Sequence, residues 1–326
     1  MNNIAVIGLG NIALRHRKNL KHLYPEATII AVSASGRTPN IPVECADFFC
    51  NDIDTLLGLA PDLVVIASPA SCHLAHAMIF IEANIAVVVE KPLSDSLDGA
   101  QLLLDLALQQ QSPVHIGYCL RYLSSAIELK KHLGNKIIGE IYHCSASVGQ
   151  YLPDWRPNKH YSASVSANSQ LGGGALLELS HELDYLQWFL GPLTCQYAQL
   201  RTSKELALDV EEIADLVLTN TQGTVCNVHL DFLQKQPQRE CTFIGSTGRL
   251  HWNLISNTLT LYSAAETKIL YQAADWDKNK MYINMLNDFT SRIARNDANL
   301  DSVKDAHQTL RLISQIKQQA TWGKVQ

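Results

Sequence analysis

A short apolar run, Ile4 to Ile7, leads into Gly8-Leu9-Gly10-Asn11-Ile12-Ala13, and an amphipathic stretch follows to Leu23. The order is strand, tight glycine turn, helix. Gly8 permits the turn, Gly10 leaves the backbone open to close approach, and the small Ala13 lets the helix pack against the strand. The first turn of such a helix offers unsatisfied N–H groups and a partial positive charge, which together seat a phosphate. In this strand-to-helix setting the pattern reads as the GxGxxA form of the dinucleotide fingerprint, with Gly8, Gly10, Asn11, Ile12 and Ala13 at the cofactor.

The same rhythm continues to about Gly117. Strands are expected at Ile4 to Gly8, Thr28 to Ser33, Leu63 to Ala67, Ala86 to Glu90 and Val114 to Gly117. Helices are expected between them, at Ile12 to Leu23, Ile53 to Leu59, Cys72 to Glu82 and Ser96 to Gln110. Alternation of this kind predicts a parallel sheet buried on both faces, a Rossmann domain over residues 1–120. Beyond Arg121 the order changes to a helix, a strand, a long loop from Gly149 to Leu171, a helix and then many strands. Residues 121–326 therefore read as a C-terminal α+β domain on a large open, mostly antiparallel sheet. The fold class is α/β. Two cores suit 326 residues, since single cores stop growing at roughly 250–300.

With 47% hydrophobic and 17% charged residues and a net charge of -5, the chain is ordinary for a folded protein and offers nucleic acid no basic surface. No apolar run approaches the roughly 20 residues of a membrane helix. The start carries no signal-peptide pattern, and the eight cysteines stand singly, so reduced thiols and a cytoplasmic location are expected.

Where the second strand of such a domain normally ends in a carboxylate for the adenosine ribose of NAD, this sequence has Ser33-Ala34-Ser35-Gly36-Arg37. Ser33 and Ser35 can donate hydrogen bonds and Arg37 can take a 2′-phosphate, so NADP(H) is expected to be preferred, with NAD(H) as the alternative.

Val88-Val89-Glu90-Lys91-Pro92-Leu93 resembles the EKP signature of the glucose-fructose oxidoreductase and inositol dehydrogenase (Gfo/Idh/MocA) family. The resemblance takes in the glycine turn, Ala67-Ser68-Pro69 followed by His73, and Gly172 to Asp184. It implies Ser68, Pro69, His73, Glu90, Lys91 and Pro92 at the cofactor, and a Lys91–Pro92 peptide that is often cis. A lysine at a strand's C-terminal edge is also well placed to bind a substrate hydroxyl and ease its deprotonation.

In Gly172-Gly173-Gly174-Ala175-Leu176-Leu177-Glu178-Leu179-Ser180-His181 the resemblance makes His181 the partner of Lys91 in proton exchange. Members commonly carry aspartate four residues before that histidine. Here Leu177 stands there, and Glu178, three before, is expected on the same helical face as a third catalytic residue in the aspartate's place, its extra methylene making up for the displaced Cα. Asp184 matches a further acidic position that orients its neighbours.

The long loop holds Tyr151, Asp154-Trp155-Arg156-Pro157, Lys159, His160 and Tyr161, aromatic and cationic groups of the kind that bind sugars and their phosphates. Trp155, Arg156, Tyr161 and Asp184 are expected at the substrate, together with Tyr118 and Arg121, which lie where the domains should meet. The expected function is an NAD(P)-dependent hydride transfer at a hydroxyl-bearing carbon of a sugar, sugar nucleotide or polyol, without metal. A non-catalytic sensor of NADP(H) or sugar, and a dehydrogenase of a dihydrodiol or tetrapyrrole, are the alternatives. The sheet's open face, with Val225, Asn227, His229 and Asp231, is expected to form a homodimer or homotetramer.

Overall fold

The computed structural model describes residues 1–156 and 160–325. They divide into two compact units, Met1–Cys119 with Asn279–Leu310, and Leu120–Lys278 with the chain from Arg311 onward. The first boundary lies one residue from the expected division, and the segment Asn279–Leu310 groups with the first unit. There Asn19 and Asn279 exchange side-chain amide hydrogen bonds of 3.1 and 2.7 Å.

In the first unit β1 (Asn3–Ile7), α1 (Asn11–Leu23), β2 (Thr28–Val32), β3 (Phe48–Cys50), α2 (Ile53–Gly58), β4 (Leu63–Ile66), α3 (Ala70–Glu82), β5 (Ala86–Val89), α4 (Leu97–Gln110) and β6 (Val114–Ile116) follow in turn. The strands pair in parallel in the order β3-β2-β1-β4-β5-β6. Ile4–Ile7, Leu63–Ile66 and Val87–Val89 are wholly buried, as β-branched runs covered on both faces should be. The sheet order turns back between β1 and β4, so their carboxyl ends open the crevice where such sheets bind ligands. Asp52 and Ser96 cap α2 and α4, accepting from Thr55 N at 2.7 Å and Gly99 N at 3.2 Å.

The second unit contains α5 (Ser124–Gly134), β7 (Ile141–Gly149), α6 (Ala175–Glu178), α7 (His181–Leu190), β8 (Leu193–Ser203), β9 (Ile213–Asn220), β10 (Val225–Asp231), β11 (Gln238–Gly245), β12 (Gly248–Asn253), β13 (Thr258–Ser263) and β14 (Thr267–Gln272). After α8 (Lys280–Ala294) in the first unit, α9 (Asp301–Gln319) leads back to β15 (Thr321–Val325). Among the described residues the sheet has nine strands, ordered β14-β13-β12-β11-β7-β10-β9-β8-β15. The β7–β10 and β8–β15 pairs are parallel and the others antiparallel.

One face of this sheet carries Cys144, Ala146, Leu216, Leu218, Val228, Leu230, Phe243 and Trp252, all buried, with α5, α6 and α7 against it. The Trp252 indole donates to Ser125 Oγ at 2.8 Å, and the Tyr185 ring stands edge-on 5.2 Å away. The other face alternates out of the core with Ser145, Asp215, Asn227, His229, Thr242 and His251, the two-residue period of a half-covered sheet. All eight cysteines are free thiols, and six of them are buried. Among the described residues no helix is long and apolar enough to cross a membrane.

Candidate active site

The glycine turn is packed from below. Gly8 has φ 122°, and a Cβ there would stand 2.5 Å from the Ala67 carbonyl oxygen. Only glycine fits between β1 and the end of β4. Arg17 stiffens the turn, its Nη1 donating to the Gly8 carbonyl at 3.1 Å while Nε donates to the Glu44 carbonyl at 2.9 Å. Gly10, the N-cap of α1, has open space above it; no side chain caps the helix and no acid lies in its first turn. Unlike α2 and α4, this helix leaves its first N–H groups for an external acceptor, which fits the diphosphate of a dinucleotide. Ala13 is wholly buried beneath the turn.

At the end of β2, Ser33 Oγ accepts from Arg37 N and Ser35 Oγ accepts from Arg37 Nε, both at 3.1 Å. The expected trio is thus drawn together, with the exposed guanidinium at its rim.

At the end of β5 the Lys91–Pro92 peptide is cis. Glu90 is buried; its Oε1 lies 2.5 Å from His16 Nε2 and its Oε2 accepts from Lys91 N at 3.3 Å. Burial pushes the Glu90 carboxyl up, but His16, Lys91 and His73 outweigh it and hold the group below its ordinary value. His73 is 1% exposed, with Nδ1 2.7 Å from the Pro92 carbonyl oxygen and Nε2 2.9 Å from that of Ser68. Its ring nitrogens are therefore turned to the protein backbone. Burial pushes its pKa down. Ser68 Oγ pairs with His76 Nδ1 at 3.0 Å, and Pro69 N-caps α3. Tyr118, on the chain leaving β6, is buried.

Three of these contributors were not read from the sequence: His16 and Arg17 on α1, and Tyr282 from α8. The Tyr282 ring meets His16 edge-on at 6.0 Å and carries the Arg15 guanidinium 4.7 Å above it. The periodicity of α1 marked His16 and Arg17 as helical but gave no sign of what they face.

In the second unit the triple glycine anchors the long loop. Gly173 N and Gly174 N donate to the carbonyls of Asn168 and Ser166 at 2.9 and 3.0 Å. Gly174 has φ 105°, and a Cβ there would meet Glu211 Oε1 at 2.5 Å. The Glu211 carboxylate accepts from Leu176 N at 3.1 Å, and burial raises its pKa. The loop folds as a series of single 3-10 turns and closes a pocket lined by Leu152, Trp155, Arg156, His160, Tyr161, Ser164 and Ser166. Trp155 Nε1 donates to the Gln150 carbonyl at 3.3 Å and its ring stands edge-on to Phe232; Tyr161 OH donates to the Leu206 carbonyl at 3.2 Å. Pro157 and Lys159 lie outside the described residues.

Glu178 meets this pocket through Ser166, whose hydroxyl donates to Glu178 Oε2 at 3.1 Å. Glu178 and His181 do not share one continuous helix, as the spacing had suggested. α6 ends at Glu178, Leu179 and Ser180 make a turn, and α7 starts at His181, which is 9% exposed. Asp184 is buried and takes both Nε and Nη2 of Arg121, at 2.8 and 2.7 Å. Arg121 and Asp184, expected at the substrate, thus form a bidentate pair, with the guanidinium 5.6 Å from the Trp188 ring. Glu182 and Arg239 form a second such pair, at 2.7 and 2.9 Å.

Two family models cover most of the chain: an oxidoreductase family with an NAD-binding Rossmann fold over residues 2–118, and the Gfo/Idh/MocA C-terminal domain over residues 127–251. The chain belongs to the Gfo/Idh/MocA family. It is an NAD(P)-dependent oxidoreductase. Among its relatives, inositol 2-dehydrogenase 1 of Saccharopolyspora erythraea is 25% identical over 275 residues, 81% of this chain and 77% of that one. Glucose-6-phosphate 3-dehydrogenase of Bacillus subtilis is 28% identical over 198 residues, 58% of this chain and 54% of that one. The fold is shared with a 3-ketoreductase from Actinomadura kijaniata crystallised with NADP and TDP-benzene, at TM-score 0.84 and 19% identity over 100% of this chain and 99% of that one. It is shared equally with levoglucosan dehydrogenase bound to NADH, at TM-score 0.84 and 18% identity over 98% of each chain. Structures that hold NADP and structures that hold NADH therefore share this fold.

Proposed function

We propose that this Gfo/Idh/MocA member catalyses reversible hydride transfer at a hydroxyl-bearing carbon of a sugar nucleotide or amino sugar, with NADP(H) preferred. The observation that carries the reading is the second unit's pocket. Trp155, Arg156, His160 and Tyr161 line one pocket with Ser166, and Ser166 bonds to Glu178, the last residue of α6, three residues before His181 opens α7. Rings of this kind stack on sugars, and an arginine forks onto phosphate oxygens.

Gly8, Gly10, Asn11, Ile12 and Ala13 would hold the dinucleotide diphosphate, with Ser33, Ser35 and Arg37 taking the 2′-phosphate. When bound, the nicotinamide supplies the hydride acceptor or donor. Lys91 binds the reacting hydroxyl and exchanges its proton as the carbon is oxidised or reduced, and His181 is a second candidate for proton exchange. Glu178 fixes the pocket floor through Ser166 and orients the substrate. Cytoplasmic residence and assembly as a homodimer or homotetramer through the open sheet face belong to the same reading, supported by eight unlinked thiols and by the half-exposed polar side chains of that face.

The test is a panel of sugars, polyols and sugar nucleotides with NADP+ and NAD+, followed by nicotinamide absorbance, with Lys91→Ala as control. Turnover of a sugar-type compound that the variant lowers by about 10²–10⁴-fold supports the proposal. Tight NADPH binding with no turnover of any compound favours the sensor, and turnover confined to aromatic substrates favours a dihydrodiol or tetrapyrrole enzyme.

A further inference from the structure

Resting on the reading of Lys91 as the residue that binds the reacting hydroxyl, we infer that His16 and His73 are its positioning residues. Each fastens one neighbour of Lys91 from a different helix. On the N-terminal side, His16 of α1 holds the Glu90 carboxylate, Nε2 to Oε1, at 2.5 Å. On the C-terminal side, His73 of α3 holds the Pro92 carbonyl from Nδ1 at 2.7 Å. Both rings are buried, at 0% and 1% exposure, so neither bond competes with bulk water. Lys91 itself is half-exposed and reaches out of a segment whose two flanks are pinned.

The chemistry of each contact names the nitrogen that matters. A carbonyl oxygen and an ionised carboxylate only accept, so each imidazole must present an N–H to its partner. A neutral His73 donates to one of its two carbonyls at a time, and the Pro92 contact is the shorter. Gly117 at the β6 exit leaves room for Glu90 to sit close: a Cβ there would stand 3.0 Å from Glu90 Oε2. The side chain that could move the lysine's base is held by His16, and the backbone that could move it from the other side is held by His73.

The test uses asparagine and glutamine as crossed replacements in the full-length protein. The asparagine amide stands where Nδ1 of histidine stands, and the glutamine amide where Nε2 stands. His73→Asn and His16→Gln are expected to keep near-normal turnover, whereas His73→Gln and His16→Asn lose about 10²-fold in kcat with KM and NADPH affinity unchanged. The second readout needs no activity: the rate at which fluorodinitrobenzene labels Lys91 at fixed pH, followed by peptide mass spectrometry with exposed Lys268 as internal reference. It should change in the two failing variants and stay at the wild-type value in the two conservative ones. An unchanged Lys91 rate in all four, or equal losses from asparagine and glutamine at each position, overturns the proposal. If no sugar is turned over by the wild type while the crossed pattern persists in the labelling, the positioning stands and the dehydrogenase reading fails.

Discussion

At the scale of single residues the cofactor end is governed by what is missing as much as by what is present. α1 begins at Gly10 with no capping side chain and no first-turn acid, a state it shares with α3, and what sets it apart is the glycine turn that leads into it from β1 with open space at Gly10. At the tip of β2 no carboxylate occupies the Ser33 to Arg37 turn, and Arg37 is tied to Ser35 through Nε. If Arg37 meets the 2′-phosphate, Arg37→Ala should weaken NADPH binding by about 10–100-fold, the size of a lost hydrogen bond to a charged group, and leave NADH binding unchanged. Fluorescence titration with the two cofactors reads this directly; equal losses for both would remove the assignment. Residue types were legible here because each has a distinct chemical duty. The grip of His16 on Glu90 was not, since it joins residues 74 positions apart through a contact that no local pattern encodes.

At the scale of elements, period and punctuation carried most of the reading. The five strands expected in the first unit are all present, with ends shifted by a few residues, and the many strands expected late in the second are there too. β3 was missed because Phe48–Cys50 is too short to show alternation, and β15 because Gly323 breaks the run Thr321–Val325. β14 hid in a stretch whose side chains are mostly exposed on both faces, where hydrophobicity gives no phase. The helix expected to carry Glu178 and His181 together is two short segments because the turn at Leu179 and Ser180 resets the register. α7 is then held to the sheet by Glu182, wholly buried, in its bidentate pair with Arg239 of β11. Arg239→Met would strand that carboxylate, so stability should fall by about 3–5 kcal/mol in urea unfolding. The double variant Glu182→Gln/Arg239→Met should recover part of the loss; no recovery would show that the arginine acts through packing alone.

At the scale of the whole molecule, two units share one chain that crosses between them more than once, and the sheet of the second unit presents a broad polar face. On that face His229 lies between Asp215 and Asp231, at 2.7 and 2.9 Å, with Arg201 also on Asp215 and Gln234 on Asp231. Hydrogen bonding to Asp231 is the largest influence on the His229 pKa, and together with Asp215 it raises the value above the ordinary 6.5 despite partial burial. The folded pKa exceeds the unfolded one, so this bridge contributes fully below pH 6.5 and its contribution is lost as pH rises through the folded value. The urea midpoint should therefore fall as pH is raised above 6.5, and His229→Gln should flatten that part of the profile. An identical slope in the variant would assign it to other groups.

Hydride transfer to or from a sugar carbon, with Lys91 at the reacting hydroxyl, is the proposal on which the roles given to the other residues depend. It is tested most directly by incubating the protein with NADPH deuterated at C4 and the keto form of a sugar that passes the substrate panel, and weighing the product sugar by mass spectrometry. Deuterium delivered to one carbon by the wild type, and lost with Lys91→Ala while the variant still binds NADPH, is the predicted result. A sugar that stays unlabelled with wild-type protein, or is labelled equally by the variant, would contradict it.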